Sequence, residues 1–220
     1  AVLLLALPVI GAEAVSNSMD QLIGVLKSDA GQEQKAAACR ELGLVGNKEA
    51  IPVLAGLLGD EKLAHMARYG LEQIPDPAVD EAFRAALDKV KGQPLVGVIN
   101  SIGARRDSKA IESLNSLLKD SDQDVQRAAA AALGRIGTVE AGKLLENAVE
   151  QAKKEDLSFL CDALLCCADR LVGQRKESKA LAFFEKISNA DVPVRIKAAA
   201  LRGVVLCSGH VNVLVEMLSS

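Results

Sequence analysis

The 220-residue sequence contains no Trp, one Tyr and four Phe, although half of its residues are apolar. A β-sandwich core favours aromatic and β-branched side chains, whereas an apolar mass of Ala, Leu, Val and Ile suits closely packed helices. There are two histidines, His65 and His210. They form no His-x-x-x-His pair, and the chain has neither a Gly-rich phosphate loop nor a Gly-x-Ser-x-Gly elbow. The five cysteines, Cys39, Cys161, Cys166, Cys167 and Cys207, show no paired Cys-x-x-Cys spacing for a metal. No catalytic residue, metal site or cofactor is therefore expected, and the chain is read as a non-enzyme. A charge of one sign is missing too. With 29 carboxylates against 26 Lys and Arg, the net charge is −3, which gives no general attraction to nucleic acid or anionic lipid. No apolar run reaches the roughly 20 residues needed to cross a bilayer.

What the sequence does contain is a repeat. Val125, Ala129, Ala132, Leu133 and Ile136 sit at i, i+4, i+7, i+8 and i+11, one stripe of a helix. The same template fits Leu63, Ala67, Gly70, Leu71 and Ile74, and again Leu157, Cys161, Leu164, Leu165 and Ala168. Partial matches fall on Ala38, Leu42 and Val45, on Leu95, Val98, Ile99 and Ile102, and on Val194, Ala198, Leu201 and Val205. Taking the i+8 position as a marker gives 42, 71, 99, 133, 165 and 202, a recurrence of 28 to 37 residues.

A second amphipathic segment precedes these stripes, as at Ile51, Leu54, Leu57 and Leu58 or at Ile111, Leu114, Leu117 and Leu118. Acidic or small polar residues part the two helices, at Ser28-Asp29, Gly59-Asp60, Asp120-Ser121-Asp122 and Asn189-Ala190-Asp191, where their oxygens can cap the second helix. Gly46, Pro75, Gly103 or Gly137 at i+12 predicts where that helix stops. Such a pair cannot bury its apolar face alone, and stacking successive pairs supplies the missing partner. The predicted fold is all-α, an α-solenoid of about six antiparallel helix pairs over residues 15–220, with no internal domain boundary visible.

The two ends read differently. Ala1 to Ile10 (AVLLLALPVI) is an uncharged apolar run followed by Ala12-Glu13-Ala14, the pattern of a secretory signal with a small-x-small cleavage site. Residues 1–14 are accordingly expected to be a signal-peptide remnant and the protein to be exported, periplasmic or extracellular; the alternative is a buried first helix. At the other end Val213, Leu214, Met217 and Leu218 begin another first helix, so the array is expected to be truncated at the C-terminus.

Asp120 to Gly137 (DSDQDVQRAAAAALGRIG) resembles the HEAT-type repeat, in particular the short phycobilisome-lyase-like version. The segment from Ala64 to Asp107 is similar to repeat arrays in exported bacterial multidomain proteins. The resemblance implies a binding or scaffold array. It also raises two alternatives: a docking arm for a sugar-hydrolase-like or cytochrome-like module outside these residues, and a bilin-lyase-like enzyme.

Candidate partner-binding residues lie on or beside the second helices, which line the concave side of related solenoids. His65, Arg68 and Tyr69 cluster around the only Tyr, and Tyr and Arg are favoured at interface hot spots. The competing reading is packing, with Tyr69 covering the next repeat and Arg68 capping an acidic turn. Arg105 and Arg106 stand in an inter-repeat loop beside Asp107, and Arg127 is assigned to a hydrogen-bond ladder between repeats. The partner expected is a protein or a polymer. Of the adjacent Cys166 and Cys167, only one can face the core; Cys161 is expected there as a small apolar residue.

Overall fold

The computed structural model describes residues 10–209, with side chains from residue 18 onward. The apolar leader (residues 1–9), the side chains of Ala12-Glu13-Ala14, His210, and the helix expected around Val213 to Leu218 lie outside the described residues. Twelve α-helices and no strand are found among the described residues. The chain forms two compact units, Ala1–Pro94 and Leu95–Ser220.

In the first unit α1 (Ile10–Lys27) packs on α2 (Gln32–Val45), and α3 (Ile51–Ala55) on α4 (Ala64–Gln73). Neighbouring pairs touch like with like: α2 packs on α4, while α3 packs on α1 and on α5 (Ala78–Ala86). The second unit takes over within α6 (Gly92–Arg105). It continues with α7 (Ile111–Leu117), α8 (Gln123–Ile136), α9 (Val139–Gln151), α10 (Leu157–Gly173), α11 (Glu177–Ser188) and α12 (Val194–Ser208). Here too the pairs α7 and α8, α9 and α10, and α11 and α12 pack internally. The second helix α10 packs on α8 and α12, and the first helix α9 on α11. This is the α-solenoid pattern, in which each repeat is covered only by its neighbours.

The acidic turns cap as their spacing predicts. Asp60 Oδ1 accepts from Lys62 N at 2.8 Å and Leu63 N at 2.9 Å, and Asp122 Oδ1 from Asp124 N at 2.8 Å. Side-chain oxygens also cap the entries to first helices: Asn47 accepts from Glu49 N, Asp107 from Lys109 N, and Thr138 from Ala141 N. Two turns depart from this: α2 starts after Gly31, past Ser28-Asp29, and α12 after Pro193, past Asn189 to Asp191, and neither has a side-chain cap. Gly137 ends α8 in the left-handed region, at φ 66 and ψ 34. Gly46 instead stops α2 in extended backbone. Gly103 stops nothing. It lies inside α6, and a Cβ built on it would come 2.8 Å from the Ala132 Cα; its role is close approach of α6 and α8.

All five template positions of α4 and of α8 are buried. Two registers slip. In α10 Cys161, Leu164 and Ala168 are buried as the template places them, but Leu157 and Leu165 are half-buried and Leu160, Cys167 and Leu171 complete the seam instead. In α12 Val194 is 82% exposed, and the seam is Ile196, Ala200, Gly203 and Val204. Both helices carry apolar residues off the seam, so a hydrophobic stripe can be drawn at more than one offset. In α12 the offset is fixed by a glycine. A Cβ on Gly203 would sit 2.5 Å from the Phe184 ring, so α11 fills the place a side chain would take.

Candidate binding surface

The sequence-predicted cluster on α4 does come together. Arg68 Nη1 donates to Glu72 Oε1 at 3.0 Å, and Arg68 Nη2 lies 3.0 Å from His65 Nδ1. Positions i, i+3, i+4 and i+7 of one helix face place His65, Arg68, Tyr69 and Glu72 side by side. Arg68 therefore braces its own helix. Glu72, which orients the guanidinium, is absent from the sequence reading although its i+4 spacing to Arg68 carries the signal. Tyr69 is 43% exposed.

Arg105 is the last residue of α6, half-buried, and Arg106 follows in the left-handed region at φ 57, exposed. Both belong to the second unit, whereas His65, Arg68 and Tyr69 belong to the first. Arg127 makes an inter-repeat contact of a different kind from the one expected: its guanidinium lies 5.5 Å from the Phe159 ring centroid, a cation–π pair between α8 and α10. The hydrogen-bond ladder falls to other residues. Arg135 Nη2 donates to Asn100 Oδ1 at 2.7 Å, Gln174 Nε2 to the Gly137 carbonyl at 3.0 Å, and Arg195 Nη2 to Asp162 Oδ2 at 2.9 Å.

Exposed large apolar side chains reveal a pattern that the stripe analysis passes over. Among the described residues these are Leu44 at 79%, Tyr69 at 43%, Val194 at 82% and Leu206 at 70%. All four are on second helices: α2, α4 and, for the last two, α12. Leu44 stands two positions from the buried Leu42, which turns it to the opposite side of the helix.

The opposite row holds a cleft. α9 packs on α11 but stands apart from α7. The gap between α7 and α9 is about 480 Å³, with Asn115 and Lys119 on one side, Asn147 and Gln151 on the other, and Phe159 among its lining residues. That volume lies within the usual range for ligand sites.

Chemistry for turnover is sparse. Among the described residues no group of three His, Cys, Asp or Glu side chains could hold a metal ion, and no helix is long and apolar enough to cross a membrane. Burial pushes the thiols up, Cys39 and Cys161 to about 11 and Cys167 to about 12. Thiols so far above neutrality carry almost no thiolate and are poor nucleophiles. Cys161 and Cys167 are buried and Cys166 is half-buried, as expected for a pair that cannot share one core.

Within this architecture, residues 94–160 match the family of HEAT repeats. That segment of the chain is similar to HEAT repeats. The match runs from α6 to the start of α10. Solved structures share the fold. An engineered protein aligns with a TM-score of 0.54 at 16% identity over 87% of this chain and 97% of its own. A designed armadillo repeat protein, in complex with a (KR)4 peptide, aligns with a TM-score of 0.52 at 18% identity over 86% of this chain and 98% of its own. A chain of the CpcE–CpcF phycocyanin lyase complex of Nostoc sp. PCC7120 aligns with a TM-score of 0.44 at 23% identity over 93% of this chain and 81% of its own. No curated protein matches the sequence. HEAT repeats and armadillo-like arrays are a scaffold most often used for binding.

Proposed function

We propose that the chain is a non-catalytic binding scaffold whose HEAT-like repeats recognise a protein or polymer partner through the faces that the second helices form within each unit. The observation that carries this reading is the placement of the exposed apolar groups: Leu44, Tyr69, Val194 and Leu206 are all on second helices. Exposed apolar side chains on a polar surround are the usual core of a docking face, and Tyr beside Arg is a favoured hot-spot pairing. The packing of the second unit supports a concave second-helix side. A Cβ on Gly134 of α8 would lie 2.5 Å from the Ala163 carbonyl oxygen of α10, so these second helices are in backbone contact. The corresponding first helices α7 and α9 stand apart. A stack spaced more closely in one row than in the other curves toward the closer row. The fold likeness to a designed armadillo protein that holds a peptide agrees with a protein partner.

A photo-crosslinking side chain placed at position 44, 69 or 206 should capture partner protein in the native host. The same group at Glu81 or Glu112, exposed on first helices, should capture several-fold less. Equal yields from both rows would sink the assignment of the face. We further propose that the protein is exported and cut after Ala14, leaving residues 15–220 as the mature array. Protein recovered from an export-competent host should begin at Val15, and a retained leader would refute that.

A further inference from the structure

We propose that the cleft between α7 and α9 is a second docking site, and that its occupant is an extended, acidic peptide segment of a partner protein. The first argument is hydrogen-bonding capacity. The side-chain amides of Asn115, Asn147 and Gln151 line the cleft, and none of them bonds to any described protein group. Each amide offers both donors and an acceptor, which is what an extended main chain requires along its length. Gln126 is held differently: its amide nitrogen is bound to the Asp120 carbonyl, which fixes the side chain at the cleft edge.

The second argument is spacing. Asn147 and Gln151 are i and i+4 on α9, about 6 Å apart along the axis at 1.5 Å per residue. An extended chain repeats every two residues, at about 6.6 Å. Successive rail amides can therefore meet the same face of successive dipeptides. The apolar lining, with Phe159, Leu118 and Leu144, is placed to receive the side chains pointing inward.

The third argument is charge. Lys119 and Lys153 line the cleft, are exposed, and pair with no carboxylate among the described residues. Against these two cations the lining holds the single carboxylate of Asp156. The site therefore favours Asp or Glu side chains at its rim, although the chain as a whole is weakly acidic. This surface is independent of the second-helix face, so the two readings can fail separately.

The test is selection of a displayed random dodecapeptide library on the immobilised full chain. Winning peptides are then titrated by fluorescence anisotropy. Enriched sequences should carry Asp or Glu alternating with apolar residues. Their affinity should fall about tenfold in the Asn147→Ala/Gln151→Ala variant, a change of about 1.4 kcal/mol. It should fall at least as far in Lys119→Glu/Lys153→Glu, and remain unchanged in Glu81→Ala, an exposed position on α5. Thermal melts of each variant check that the fold is intact. Winners indifferent to both double variants, winners enriched in Lys and Arg, or no enrichment at all would overturn the proposal.

Discussion

The junction joining the α7–α8 repeat to the α9–α10 repeat is closed on one side and open on the other. On the second-helix side a missing Cβ at Gly134 lets α8 come within backbone contact of α10. On the first-helix side a space of about 480 Å³ separates α7 from α9, and amides and lysines line it. The same two repeats thus carry a seam that any added atom disturbs and a surface that tolerates change. In a solenoid this division is physically reasonable: neighbour contacts supply the stability, and a face not used for stacking is free to bind. The first unit closes its own second-helix seam by the same device, since a Cβ on Gly70 of α4 would lie 2.4 Å from the Cys39 carbonyl oxygen of α2.

The largest effect should come from the closed side. Leu133 of α8 is fully buried, and Leu133→Ala should cost about 2–5 kcal/mol in urea unfolding, as for other buried Leu truncations. A loss below about 0.5 kcal/mol is the behaviour of a surface residue and would mean that this seam is misplaced. Next is Gly134→Ala. Alanine ordinarily strengthens a helix over glycine by about 0.5–1 kcal/mol. Here the new methyl meets the Ala163 backbone, which has no soft torsion to yield, and a net loss of about 1–3 kcal/mol is expected. The matched control is Gly24→Ala in α1, where nothing lies within 4 Å of the new Cβ. It should gain the ordinary amount. Should both substitutions move stability in the same direction, the contrast between tight and open glycine positions would be lost.

The contrast extends to neighbouring thiols on α10. Cys167 is buried, bonded through its sulfur to the Thr138 carbonyl at 3.4 Å, and pushed up to about 12, chiefly by burial. Cys166 is half-buried. Iodoacetamide at pH 8 should therefore label Cys166 at least about tenfold faster than Cys167, because the thiolate is the reacting form. Comparable rates would place both on the accessible side. The linkage has a definite sign. The folded value lies above the usual 9.0, so the unfolded chain loses this proton first. Native stability due to Cys167 is complete below pH 9 and declines as pH rises from 9 toward 12.

The sequence made the repeat plan readable because its strongest signals are steric and local. The stripe through Val125, Ala129, Ala132, Leu133 and Ile136 holds every apolar side chain of α8 larger than alanine, and the capping carboxylates of Asp60 and Asp122 act within three residues of themselves. Where a helix is apolar on several sides the stripe loses its meaning, as α10 and α12 demonstrate. Only contact with Phe184 makes Gly203 a core position. The α4 cluster was legible as spacing, down to His65, Arg68 and Tyr69. The cleft was not, because Asn115 and Asn147 are ordinary surface residues until packing sets them across a gap. The same holds for Leu44, whose exposure follows from the seam chosen by Leu42.

The smallest effect should come from the open side, and its smallness is the point. Asn147 and Gln151 are exposed, and their amides bond to no described group. Replacing both by alanine removes no buried contact and raises the intrinsic helix preference of α9 slightly. The double variant should therefore unfold within about 0.5 kcal/mol of the parent. A loss of about 2 kcal/mol or more would show that the amides hold α7 and α9 in place, making the cleft a structural joint. An unchanged midpoint together with weakened peptide binding would separate the two roles, since a residue that contributes to recognition without contributing to stability belongs to a binding surface.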